Sequence, residues 1–136
     1  MGSLEVKTDM RLTWLDGLET ALVAGAVGIA LAVTNGWSWW FITDFRSALV
    51  AMGIFTLAIC PLSGSAAYKE SPINPVVFLV ALLGVAGIGI WIWGVASGGA
   101  VPMILFAGDL VVMWALTTVH HALMAPRPAR APAIAA

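Results

Sequence analysis

Charge is what this sequence has least of. Only 10% of its residues are charged, 61% are hydrophobic, and the mean hydropathy is +0.99. A soluble domain carries about a quarter charged residues, so a water-soluble fold is excluded. The formal net charge of −1 supplies no basic field for nucleic acid. Cys60 is the one cysteine, which rules out an internal disulfide and a CxxC redox pair. There are two histidines, His120 and His121, and they are adjacent. Neighbouring residues on a helix point about 100° apart. The pair therefore cannot hold one ion from an unbroken helix, and no metal or haem site is expected. Metal-protease, phosphate-loop and nucleophile-elbow patterns are all missing, so the chain does not read as an enzyme. The start, MGSLEVKTDMR, mixes acids with bases and has no secretory-signal pattern. No family resemblance emerges from any motif.

Long apolar runs fill the rest. The pattern predicts an all-α integral membrane protein of four antiparallel transmembrane helices, at about 13–34, 45–61, 76–96 and 100–124. Residues 1–12 read as a cytoplasmic N-terminal segment and 125–136 as a disordered cytoplasmic tail, because its prolines prevent a helix. Thr13 or Asp16 can open the first helix, and Asn35-Gly36 closes it. Thr43 or Asp44 caps the second, which ends at Pro61, and Cys60 beside that end reads as a packing residue. Asn74-Pro75 starts the third. Ser97-Gly98-Gly99 is a tight turn that makes the third and fourth helices antiparallel neighbours. The stretch GWSWWFITDFR, from Gly36, reads as a short amphipathic tryptophan-rich segment at the outer membrane boundary.

Orientation follows from the cations. Lys7, Arg11, Lys69, Arg127 and Arg130 fall on one side of this topology and Arg46 alone on the other. The positive-inside rule then puts both termini in the cytoplasm of a bacterial-type inner membrane.

Asp109 is the sharpest functional candidate. It lies nine residues beyond Ala100, about 13 Å along the helix at 1.5 Å per residue. A carboxylate at that depth is costly unless neutral, paired or hydrated. His120 shares its helix face with Thr117 beside it, and Glu19 matches the depth of the histidines on the first helix. These four are the candidates for ion or proton coupling, with a Glu19–histidine contact across the bundle expected. Side chains lean toward a helix's N-terminus, so Arg46 should point to headgroups rather than pair with Asp109. Arg46, Trp39, Trp40 and Trp91 are candidates for an interface or a ligand. Ala24, Gly28 and Ala32 form one row of small residues, with Ala21 and Gly25 in another. Gly84, Gly87 and Gly94 line a groove on the third helix, with Trp91 between them, that fits the first helix.

The leading functional expectation is an accessory or scaffolding subunit of a membrane complex or homo-oligomer, acting through packed helix faces. A small proton- or ion-coupled transporter or channel protomer using Asp109 is the alternative. A membrane binder of a lipophilic ligand is the third. Expected partners are membrane lipids and either a membrane protein or a second copy. No cofactor is expected.

Overall fold

The computed structural model of the protein describes residues 14–67 and 74–123, with side chains through residue 59 in the first stretch. Among these residues the chain is helical, with α1 over Trp14–Thr34, α2 over Phe45–Ala67, α3 over Pro75–Ser97 and α4 over Ala100–Leu123. α1, α3 and α4 are each long and apolar enough to cross a membrane, and the part of α2 with described side chains, Phe45–Ile59, is apolar as well. This marks a membrane protein. The flanking segments 1–13, 68–73 and 124–136 lie outside the described residues, and with them every cation used above for orientation except Arg46.

Local chemistry explains the helix ends. After α1, Gly36 adopts a left-handed φ of 79°. Gly36 N–H then reaches the Val33 carbonyl at 3.0 Å, and Trp37 N–H reaches that of Ala32 at 2.9 Å. Two carbonyls with no partner further along the helix are satisfied in this way. Asp44 caps α2, accepting Ser47 N–H at 2.7 Å, while Ser47 Oγ accepts Asp44 N–H at 3.1 Å. Asn74 caps α3 by accepting Val76 N–H at 3.0 Å, and Pro75 follows it where its missing N–H leaves nothing unsatisfied. Gly98, at φ 65°, returns its N–H to Gly94 at 2.8 Å and closes α3. α2 does not stop at Pro61 but runs on to Ala67. A proline removes one N–H from the ladder and need not end a membrane helix.

The helices pack in cyclic order. α3 lies chiefly against α4, α1 against α2 and α4, and α2 against α3, with a lighter diagonal contact between α2 and α4. α1 and α3 make no such contact, so the glycine groove of α3 does not receive α1. Between the helices sit Ala26 and Ala30 of α1, Ala48, Leu49 and Met52 of α2, and Met103, Phe106 and Leu110 of α4. Large apolar residues such as Leu57, Phe78, Val85, Ile92 and Val101 point outward and are more than half exposed. Apolar side chains turned outward from a polar-poor core are what a lipid solvent selects.

Candidate functional site

The glycines of α3 are filled from α4 and α2. Asp109 of α4 places its carboxyl against Gly87, where a β-carbon would collide with it, and Phe106 closes the same spot. At Gly94, a β-carbon would stand 2.6 Å from Leu49 Cδ1. Gly84 faces Met113. The α3–α4 seam is thus close because glycine meets larger side chains from across it.

Asp109 is half-buried. Among the described residues it has no hydrogen-bond or ion-pair partner. Its expected companions are engaged elsewhere. The Thr117 hydroxyl donates back to its own helix, within 3.0 Å of both the Met113 and Trp114 carbonyls. His120 Nε2 meets Asn74 Nδ2 at 2.9 Å. Asp109, Thr117 and His120 are not joined by hydrogen bonds among the described residues. Arg46 is also apart from Asp109: its Nη2 donates to the Ala96 carbonyl at 3.1 Å, at the opposite end of the bundle from His120.

That His120 end holds a polar cluster between α1 and α4. His121 Nδ1 contacts Asp16 Oδ1 at 3.1 Å, and Trp114 Nε1 donates to Thr20 Oγ1 at 2.9 Å. The hydrogen-bonded carboxylate across from the histidines is thus Asp16 and not the expected Glu19, which lies only in electrostatic reach of Asp16 and His121. Asp16 lies one helical turn before Glu19. The sequence offered it as a cap, whereas α1 begins at Trp14 and places it in the first turn, facing α4.

Trp91 is a structural clamp. Its indole N–H reaches the Leu49 carbonyl of α2 at 2.8 Å, and its ring lies where a Gly53 side chain would be. Trp39 and Trp40 do face outward, at 78% and 94% exposure. They belong to a tight turn in which Trp39 N–H bonds the Ile42 carbonyl at 2.8 Å. Trp40 takes a φ of 33°, rare for a bulky residue. Ile42, 5% exposed, pins the turn to the core.

The small residues of α1 divide cleanly. Val23, Ala26 and Ala30 are buried. Ala24 and Gly28 face outward and Ala32 is half-buried. No atom of the fold lies within 4 Å of a β-carbon built at Gly17, Gly25 or Gly28. Among the described residues no group of three or more histidine, cysteine or acidic side chains is placed to hold a metal. Comparison with family models, curated proteins and solved structures finds no match to this chain.

Proposed function

We propose that this protein is a multi-pass, antiparallel four-span membrane subunit that scaffolds a homo-oligomer or larger complex through the outward face of α1. The observation that carries the reading is the position of Ala24 and Gly28. They lie on the face of α1 turned away from the bundle, and Gly17 and Ala21 continue that face. The steps 17, 21, 24 and 28 follow the alternation of four and three residues that one packed helix presents to another. Lipid gains little from a smooth helix, whereas another helix can approach its backbone closely. The charge distribution supports cytoplasmic termini in a bacterial-type inner membrane.

The test is association in a mild detergent or in bilayer discs. Ala24→Leu and Gly28→Leu fill the face without touching the core, so they should lower the oligomer fraction while leaving the helical signal intact. A wild-type chain that is monomeric and brings no partner from its native membrane sinks the proposal.

A second reading has its own observation. A carboxyl placed about two-fifths of the way along a membrane-length helix, with no described partner, suits a group that takes up and releases a proton or cation. Under this reading the chain is a small transporter or channel protomer using Asp109.

A further inference from the structure

Outside these faces, a cavity of about 340 Å³ opens where the tryptophan turn meets α2. Its lining is graded. Asp44, Arg46 and Ser47 form one end, and Val50, Ala51 and Ile54 continue down α2 under the overhanging Phe41. Positions 47, 50, 51 and 54 share one helical face. Val50 and Ile54 are 42% and 64% exposed, while Ala51 forms a buried floor. The volume lies in the range of about 300–1,000 Å³ usual for small-molecule sites.

The mouth carries two opposite charges that do not pair with each other. Among the described residues the one ion pair is Asp16–His121. Arg46 turns one nitrogen to the Ala96 carbonyl, which fixes the guanidinium and leaves its other donors available. Asp44 holds the end of α2 through Ser47. Asp44 caps α2 and Arg46 stands in its first turn, so both charges lie at the mouth of the trough. From the mouth down α2, charge gives way to the hydrocarbon of Val50 and Ile54.

We infer that this trough binds a phospholipid with a primary-ammonium headgroup. The lipid's own layout matches: a cationic ammonium and an anionic phosphate side by side at the head, then glycerol ester and acyl chain. Asp44 receives the ammonium and Arg46 the phosphate, in charge-assisted contacts. One acyl chain lies along Val50 and Ile54, covered by Phe41. A headgroup with only a negative charge leaves Asp44 facing like charge, and a trimethylated ammonium has no N–H to give it.

The experiment is native mass spectrometry of the full chain with phosphatidylethanolamine, phosphatidylglycerol and phosphatidylcholine of identical acyl chains. One phosphatidylethanolamine per chain should survive activation that strips the other two. Arg46→Gln and Asp44→Asn should each weaken its retention roughly tenfold, the size expected from losing one charged contact, and Arg46→Lys should keep most of it. Ile54→Trp fills the trough at an exposed position. It should abolish retention without disturbing the fold, so the test stands even if a mouth variant misfolds. Equal retention of the three lipids overturns the inference. So does retention unchanged by Ile54→Trp, or a dimer in place of bound lipid that Ile54→Trp dissociates, which would make a second copy the occupant.

Discussion

The indole N–H of Trp91 reaches the carbonyl oxygen of Leu49 across the α2–α3 interface, at 2.8 Å. That carbonyl is a helix-ladder acceptor with a second lone pair to offer. The indole gains access to it because Gly53, one turn further along α2, has no side chain: a β-carbon there would lie 2.5 Å from the indole nitrogen. One glycine, one tryptophan and one backbone oxygen thus join two helices at the level of Leu49, which is itself fully buried.

Gly53→Ala should therefore destabilise the protein. Alanine favours a helix over glycine by about 0.5–1 kcal/mol, but overpacking against a stiff ring costs about 1–3 kcal/mol, and the ring is held by its bond. Trp91→Phe alone should lose about 0.5–1.5 kcal/mol with that hydrogen bond. In the double variant the two losses should not add, because the phenyl ring leaves room for the methyl. Thermal unfolding in detergent for the four proteins of this cycle measures the coupling. Strict additivity would show that Gly53 does not act through Trp91.

Much of this architecture is legible in the sequence, and what is not has a physical reason. Apolar runs locate the helices, and Asn35-Gly36, Asn74-Pro75 and Gly98 mark where backbone groups must be satisfied. Hydropathy reports depth, however, and not direction around the axis. α3 is apolar on all sides, so its glycines gave no indication of whether α1 or α4 would fill them, and Asp109 at Gly87 could not be foreseen. On α1 the rows Ala24–Gly28–Ala32 and Ala21–Gly25 looked equivalent, and neither contains the alanines that the bundle buries. Only the packed helices show that Ala26 and Ala30 turn inward while Ala24 and Gly28 turn out. Asp16 rather than Glu19 meets His121 for the same reason: the two acids share a level within one turn, and the rotation of α1 decides between them.

The cap at Asp44 carries a pH dependence whose sign can be worked out. Hydrogen bonds from the Ser47 backbone and then its hydroxyl, with a smaller pull from Arg46, hold the Asp44 carboxyl below the usual carboxylate range. A depressed folded-state value means the unfolded chain binds the proton more readily. The stabilisation is complete above the unfolded value of about 3.9 and fades as the pH falls through the folded one. Asp44→Asn keeps an effective cap without a titrating group. It should flatten the acid limb of the stability curve, whereas Asp44→Ala should weaken α2 at neutral pH as well. Melting curves taken from about pH 2 to 7, which reach below the usual carboxylate range, decide it, and an acid limb unchanged in Asp44→Asn would assign it to another group.

Gly87 and Asp109 should behave unlike Gly53 and Trp91, although both glycines face a close neighbour. The atom over Gly87 is the end of a short carboxyl side chain, which can turn about its χ angles, whereas the indole is a large rigid ring held by its bond to Leu49. Gly87→Ala should thus change stability by less than about 1 kcal/mol, since helix preference offsets the displacement. Its effect should instead appear in the environment of Asp109. If Asp109 couples an ion or proton, Gly87→Ala should shift the pH profile of flux in proteoliposomes, and Asp109→Asn should abolish the pH-dependent flux altogether. If Asp109 only clamps α3 to α4, Asp109→Asn preserves a hydrogen-bonding side chain of the same shape. Stability and any flux then stay at the wild-type level. Those two outcomes separate the transporter from the scaffold, because the scaffolding face of α1 is untouched by either substitution.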